Sequence, residues 1–528
     1  MQSAFDAAAT AGGVYLPKLY GIKAGIVVPG NIVIRGVTSG KDNEPVSGLK
    51  ALSGFTSAYT MTHHISGSPV TYNVAGMLLS KSWVNNSNAD ADPIVTDGIY
   101  LDGNNLTDNR SAPIHGFIFC NTQNLFGDDV RVFNTTGFGV WLNSLFPNGT
   151  FAQAMVNNVI GRVRVGNTGS SSSTTYTTNG GSFPYAAIQC GALREVRDTS
   201  DQSESGRITD GVINMAVCVS PVYGDGIVVT NGGGWRIAMP QTNGAGWNGI
   251  YFEQGFQSVI LAPYVDGYGT TCPASSGELS GIAVKSVLSG GCVQIIHPRV
   301  RIRPATNTSG NTFSDIWLDG PSSGLGVGIV DGLYSITRAD AIGAVTAYSL
   351  RLTGGGASGT TRYHVTNSYA GDRAHWLRNT FGTSVALTLD GNSWQYSAAA
   401  PTTNWWPQGV KVFNASASGG LPLGWVTTAA GTPPTTRPFA PIPMRAEVTY
   451  NPPSIATASM TSTAVTVTGA LLGDLAVATF DKDIGGLQIT AAVNASNTVT
   501  VVMSNLTGAS IDPVTGQLTV LVYGKSSL

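Results

Sequence analysis

The chain has 528 residues, with 28 Lys+Arg against 30 Asp+Glu, a charged fraction of 11% and a formal net charge of −2; an ordinary soluble domain carries roughly 25% charged residues. With 67 glycines and 42% hydrophobic residues, the composition excludes intrinsic disorder, which needs high net charge and few apolar residues. It also excludes a helical bundle, which needs Glu, Lys, Arg and Leu in quantity, and a nucleic-acid binder, which needs a basic surplus. What remains is a long all-β protein, punctuated by glycine and rich in Ser, Thr and Asn, with apolar residues for a large core.

Residues 2–11 read as the one helix: Phe5, Ala8, Ala9 and Ala11 share helical spacing, and Gly12-Gly13 ends it as a C-cap. No basic region precedes an apolar run here, so it is not a signal peptide, and no apolar run reaches the ~18 residues of a membrane span. Short strands follow at 13–17 and 32–35. Then short β-branched runs recur, each preceded by Gly, Asp or Asn. Asp97-Gly-Ile-Tyr-Leu-Asp102, Gly139-Val-Trp-Leu-Asn143, Asp225-Gly-Ile-Val-Val-Thr230, Asn248-Gly-Ile-Tyr-Phe-Glu253, Ser280-Gly-Ile-Ala-Val-Lys285 and Ser314-Asp-Ile-Trp-Leu-Asp319 superimpose as one element. A second strand type lies between them at 212–217, 235–239, 259–265 and 293–300. Gly226 to Gly249 is 23 positions and Gly249 to Gly281 is 32, a period of the kind that stacked solenoid coils show. Stacking sets equivalent residues about 4.8 Å apart, so Ile, Val, Leu and Ala are expected inward, Gly, Asn and Asp at corners, and Ser, Thr and Asn outward. Longer corner loops are expected at 80–93, 167–184, 193–210 and 268–278.

These patterns predict a right-handed parallel β-helix over 1–400 with helix 2–11 capping its open end. A Pro-rich connecting region with short strands is predicted over 401–445, including an extended linker at 433–443. An antiparallel C-terminal β-sandwich is predicted over 446–528, from strand-like runs at 465–468, 475–480, 487–493, 498–503 and 518–523. The five cysteines, Cys120, Cys190, Cys218, Cys272 and Cys292, have no CxxC spacing and read as small buried thiols of a protein matured in a reducing compartment.

The opening Gln2-Ser-Ala-Phe-Asp-Ala-Ala, with Gly12-Gly13-Val14-Tyr15-Leu16-Pro17 and Ile32-Val-Ile-Arg-Gly36, resembles the start of the pectate-lyase-like superfamily. The later motifs Gly409-Val-Lys-Val-Phe-Asn-Ala, Gly424-Trp-Val-Thr-Thr-Ala-Ala-Gly-Thr-Pro433, Pro452-Pro453-Ser454, Gly473-Asp-Leu-Ala-Val-Ala478 and Asn497-Thr-Val-Thr-Val-Val502 resemble bacteriophage tailspikes. The resemblance spans nearly the whole chain through texture and short motifs. It implies a homotrimer at the virion tail, made in the host cytoplasm and acting at the host surface on lipopolysaccharide or capsular polysaccharide, with no cofactor. The charge balance and the absence of a long apolar run leave no nucleic-acid partner and no membrane insertion expected. Such proteins usually carry an extended stretch and a head-binding domain before the helix; this sequence opens inside the motif, so attachment to the phage tail is expected from a segment outside it.

Glycoside hydrolysis needs two carboxylates about 5–9.5 Å apart, whereas elimination needs a base and a cation facing the substrate carboxylate. In a chain this poor in charge, each acid on the repeats is informative. Glu253 ends a repeat strand beside Tyr251, where neighbouring coils carry Thr230, Lys285 and Asp319; the competing reading is an ion pair with Lys285 one coil on. Asp225 opens the equivalent strand, where Asp-Gly is also an ordinary corner signal. Asp266 aligns with Arg301 of the next coil, and Asp319 falls about 10 Å from Glu253 by the coil rise. Catalytic candidates are therefore Glu253, Asp225, Asp266 and Asp319.

For substrate binding, Trp247, Tyr251 and Tyr264 offer sugar-stacking faces. Lys285, His297, Arg299 and Arg301 offer cations, the last three on alternate positions. Arg194 and Glu195 open a loop with eight charges in positions 194–210. The doublets His63-His64 and Asp128-Asp129 lack the rest of a metal site, so no metal is expected. Neither a nucleophile elbow nor a phosphate loop is present. The resulting expectation is polysaccharide depolymerisation, by hydrolysis rather than elimination because candidate carboxylates outnumber cation-plus-base constellations. A polysaccharide lyase and a non-catalytic glycan-binding tail fibre are the alternatives.

Overall fold

The computed structural model describes residues 1–37, 46–65, 68–107, 111–121, 123–152, 155–169, 175–178, 181–194, 208–219, 224–230, 232–253, 256–272, 278–285, 291–302, 311–320, 323–335, 346–354, 358–370, 377–381, 385–389, 395–397, 400, 402, 408–414, 417–419, 421–429, 431 and 434–525. They fall into two units, Met1–Ser393 and Trp394–Leu528.

The first unit is a parallel β-helix. Among the described residues its strands form three long sheets, of twelve, eleven and eleven parallel strands visited in turn by successive coils, the third sheet also carrying the antiparallel strand Ala58–Ile65. One coil runs from Arg236–Ala238 in the first sheet through Gln241–Asn243 in the second to Ile250–Glu253 in the third. The next repeats this as Ser258–Leu261, Tyr264–Asp266 and Glu278–Lys285. Every rung pairs in parallel register, so one residue type recurs in a column. Ile227, Ile250, Ile282 and Ile316 form one inward column of the third sheet, all fully buried.

The helix Gln2–Ala11 closes the open end. Phe5 and Ala8 are buried beneath it, and Gly12 at φ 80 ends it. The first strand of the third sheet, Ile26–Val28, would otherwise expose its edge. The Gln2 side chain pairs with it instead, donating to the Val27 carbonyl and accepting from the Val27 N–H, both at 2.9 Å.

Corners differ in a way that explains the motifs. Entry to the third sheet is by Gly226, Gly249 and Gly281 in one column. A Cβ on Gly226 would lie 2.5 Å from the Gly249 carbonyl oxygen, and one on Gly249 would lie 2.6 Å from that of Gly281. Only glycine lets the stacked backbones approach so closely. The corner from the first to the second sheet is a single left-handed residue. Gly98, Gly332 and Asn367 fill it as expected, but in four successive coils it is not Gly, Asn or Asp: Met215, Met239, Ala262 and His297 hold φ of 58, 48, 46 and 50°. A left-handed conformation costs about 1–2 kcal/mol per residue. It is offset here because each corner N–H donates to the next coil, as Met239 N does to the Leu261 carbonyl at 2.8 Å. The runs 212–217, 259–265 and 293–300, read as single strands, therefore each bend through such a corner into the second sheet. The 97–102 motif is likewise corrected: Asp97-Gly98 is the corner and Tyr100–Asp102 is a strand of the second sheet, while the other five aligned elements lie in the third.

In the second unit, four strands (Gln395–Ser397, Lys411–Asn414, Pro422–Ala429 and Thr435–Pro441) form one sheet. Thr435–Pro441 falls inside the stretch expected as a linker. It is the edge strand, where proline lacks no needed donor. Beyond it, Met444–Tyr450, Gly516–Tyr523 and Leu475–Phe480 pair antiparallel in one sheet, and Met460–Thr466, Thr498–Ser504 and Gln488–Ala495 in another. Val465, Val499, Val501, Leu518, Val520 and Val522 form the core of this β-sandwich.

Four of the five cysteines are buried and none is disulfide-bonded. Burial raises the Cys218 thiol to about 12 and the Cys272 thiol to about 11, which keeps them protonated and unreactive.

Candidate functional site

The outward columns of the third sheet carry the chemistry. Upstream, the sheet is buried on both faces. A hairpin of Ala58–Ile65 and Ser68–Ser80, a second of Thr175–Thr178 and Gly181–Pro184, and the short helix Lys81–Val84 fold over it. Met61, Trp83, Phe138, Trp141, Tyr176 and Tyr185 fill a cluster outside the solenoid core. The indole N–H groups of Trp83 and Trp141 donate to the Leu145 and Gly191 carbonyls at 3.1 and 3.0 Å.

Inside this cluster His115 stacks on Phe138 and meets Trp141 tilted and Tyr185 edge-on, with ring centroids 5.2–5.4 Å apart, and its Nδ1 accepts from the Phe138 N–H at 2.8 Å. Burial lowers its pKa to about 3. An unfolded chain titrates this group near 6.5. Between those values the unfolded state binds a proton that the folded state refuses, so stability is intact above pH 6.5 and falls as pH drops toward 3. His115→Gln keeps the acceptor without titrating. Its thermal midpoint is expected to fall less steeply than wild type between pH 6.5 and 4; parallel pH curves would contradict this.

The covered region ends at Arg194. Its guanidinium lies 3.7 Å from the Tyr251 ring centroid and 5.3 Å from that of Phe183, and it forms a buried ion pair with Asp225. Burial opposes its charge, but Asp225, Tyr251, Tyr176 and Glu253 outweigh that and hold the guanidinium pKa above its ordinary value. Asp225 also accepts from the backbone N–H and the side-chain Nδ2 of Asn248, both at 2.9 Å. Asn248 Oδ1 in turn accepts from the Ser280 N–H at 2.7 Å. Asp225 is thus both corner residue and partner of Arg194.

From this point two columns run side by side. Tyr251, Ala283, Trp317 and Arg351 occupy one; Glu253, Lys285, Asp319 and Thr353 occupy the other. Glu253 faces Lys285, which faces Asp319, so two carboxylates stand two rungs apart with an ammonium between them, roughly 10 Å backbone to backbone. Glu253 is buried, and Lys285 and Asp319 are half-buried. Trp317 Nε1 donates to Thr353 Oγ1 at 2.7 Å, and Thr353 Oγ1 donates to Asp319 at 2.7 Å, a relay that fixes the Asp319 carboxylate. The Arg351 guanidinium lies 4.9 Å from the Trp317 ring centroid. The arrangement offers paired carboxylates, a cation and an aromatic platform on one face.

The sequence candidates thus separate. Arg194, Asp225, Tyr251, Glu253, Lys285 and Asp319 gather on the third sheet. Tyr264, Asp266, Arg299 and Arg301 lie on the second sheet, where Arg301 pairs with Asp266 in adjacent rungs. His297 is a corner residue 3.8 Å from Asp331. Trp247 lies in the corner before Ile250–Glu253, its backbone N–H donating to the Gly224 carbonyl at 3.1 Å. Glu195, with 196–207 of the charged loop, lies outside the described residues. Elsewhere, His63 is buried with Nε2 against the Thr177 carbonyl at 2.8 Å, and Asp128 and Asp129 pair with Arg162 and Arg131. Trp317, Arg351 and Thr353 were not singled out from the sequence, although Trp317 stands in the motif column of Tyr251.

No family model matches the chain, and no curated protein matches it. Among solved structures it is similar to a tailspike protein of Pseudomonas phage LKA1, at 12% identity and TM-score 0.34 over 99% of this chain and 91% of that one. A tailspike double mutant of E. coli bacteriophage HK620, in complex with a pentasaccharide, matches at 10% identity and TM-score 0.36 over 99% and 89%. The A-module of a mannuronan C-5 epimerase of Azotobacter vinelandii matches at 12% identity and TM-score 0.40 over 75% and 94%. Most of the similar structures are phage tailspikes.

Proposed function

We propose that this chain is a bacteriophage tailspike that binds and depolymerises a bacterial surface polysaccharide, O-antigen or capsule, by hydrolysing glycosidic bonds. The observation that carries the reading is the Glu253–Lys285–Asp319 column beside Trp317. Of the acids singled out, Glu253 and Asp319 share one outward column, with backbones roughly 10 Å apart by the strand spacing, near the ~6.5–9.5 Å carboxyl separation of an inverting mechanism. One carboxyl protonates the leaving oxygen and the other activates the water. Lys285 keeps two acids from facing each other directly, and Trp317 offers a stacking face.

The test is to incubate the chain with a panel of purified O-antigens and capsular polysaccharides and follow reducing ends together with the ultraviolet absorbance of a conjugated double bond. Reducing ends without that absorbance support hydrolysis. Both together move the chemistry to elimination, with Lys285 among the cations available to neutralise a substrate carboxylate. Binding without either makes the chain a glycan-binding tail fibre.

A homotrimer is part of the same proposal. The outward column of the first sheet is apolar over five successive rungs, Val33, Val95, Leu125, Val159 and Val212, before Arg236. Leu125 and Leu261 are each 41% exposed. A sheet face of this kind is suited to packing against further copies. Sedimentation is expected to give a trimer for the whole chain and a smaller species for Leu125→Glu with Leu261→Glu; a wild-type monomer contradicts the proposal.

A further inference from the structure

We propose that the second sheet carries a separate, non-cleaving binding track for an anionic polysaccharide. Its outward column contains Tyr100, Arg131 and Arg164 in successive rungs and, three rungs on, Tyr264, Arg299 and Tyr334. This is a different face from the carboxylate column, and the track does not rest on Glu253 or Asp319.

Three observations carry it. The first is exposure: Tyr264 is 42% and Tyr334 49% exposed, with Arg299 exposed between them. Large rings held in water at alternate rungs, roughly 10 Å apart by the strand spacing, offer two stacking faces. The intervening guanidinium is placed for a bidentate contact with a carboxylate or sulfate. Among the described residues Arg299 has no ion-pair partner.

The second is charge. Arg131 and Arg164 are directly opposite each other, which sets two guanidinium groups in adjacent rungs of one column. Asp129 pairs with Arg131 at 2.6 Å. A cleft of about 510 Å³ opens over these residues, lined by Arg131, Arg162, Arg164, Asp128, Asp129 and Met215 among others. In this column of a net acidic chain every charged residue described is an arginine. The carboxylates of the same face, Asp102 and Asp266, lie in the adjacent column and pair with Lys50 and Arg301.

The third is geometry. A parallel solenoid repeats its rungs along one axis at a spacing comparable to one sugar ring, so an extended acidic glycan can meet successive rungs without bending. A carboxylate pair suits bond cleavage; a run of tyrosines and arginines suits holding the strand.

The test uses the full chain in affinity electrophoresis through gels containing polygalacturonate, hyaluronate or dextran sulfate, with neutral dextran as control. Retardation is expected in at least one polyanion and not in dextran, and added salt should weaken it. Arg299→Gln should weaken it about tenfold, and Tyr264→Ala with Tyr334→Ala should do likewise. Glu253→Gln should leave it unchanged, so loss of cleavage and loss of the track are read separately. No retardation of the wild-type chain in any polyanion, equal retardation in dextran, or unchanged retardation of both surface variants overturns the proposal.

Discussion

Glu253→Gln is expected to lower kcat on host polysaccharide by on the order of 10²–10⁴-fold, with the thermal midpoint and glycan binding close to wild type. The size follows from the role proposed for it: one of two carboxyls moving a proton at the scissile bond. The fold should survive because the inward neighbours Ile250 and Phe252, not Glu253, fill the solenoid and because Arg194 keeps its ion pair with Asp225. The amide also preserves volume and an acceptor beside Lys285.

Asp319→Asn should act on the same step, and the double variant should cost little more than either single change, because groups that act as a unit are non-additive. Reducing-end kinetics at saturating and limiting substrate separate kcat from KM. Wild-type turnover in Glu253→Gln would remove Glu253 from the chemistry, and a rise in KM alone would make it a binding residue. Thr353→Val, which removes the hydroxyl held between Trp317 and Asp319, is expected to lower kcat by less than Asp319→Asn does.

The architecture was readable because a solenoid writes one rule many times. Inward Ile, Val and Leu columns, the Phe5 and Ala8 plug and the glycines entering the third sheet all leave local signals. The number of sheets per coil was not readable, and the reason is particular. Met215, Met239, Ala262 and His297 turn left-handed corners without the residue types that mark such turns, sustained by hydrogen bonds from the next coil that no local window contains. The same gap scattered the site candidates. With the third strand hidden, Tyr264, Asp266, Arg299 and Arg301 stood among the same site candidates as Glu253, whereas they belong to another face, where Asp266 and Arg301 align as expected. The alternation of Glu253, Lys285 and Asp319 was legible because their motifs align without insertion. The stacking of Arg194 on Tyr251 was not, since it joins distant segments beneath a hairpin.

That stacking yields the largest expected effect on stability. Removing one partner of a buried ion pair costs about 3–5 kcal/mol, because the other charge stays in a low-dielectric site without compensation. Arg194→Leu would leave the Asp225 carboxylate fully buried with only its Asn248 contacts. Asp225→Asn would leave the guanidinium buried against Tyr251 and Phe183. Each single variant is expected to lower the unfolding midpoint and to loosen the hairpin Thr175–Thr178/Gly181–Pro184, seen as faster amide exchange there. The double variant removes both charges, lets the introduced leucine side chain pack in the aromatic cluster and keeps a side-chain carbonyl acceptor for Asn248, so it should be more stable than either single change. Such a reversal distinguishes a buried pair from two independent contacts, whose losses would add. If the double variant is instead the least stable of the three, the pair does not hold this face together, and the cation–π stack on Tyr251 is the contact that matters.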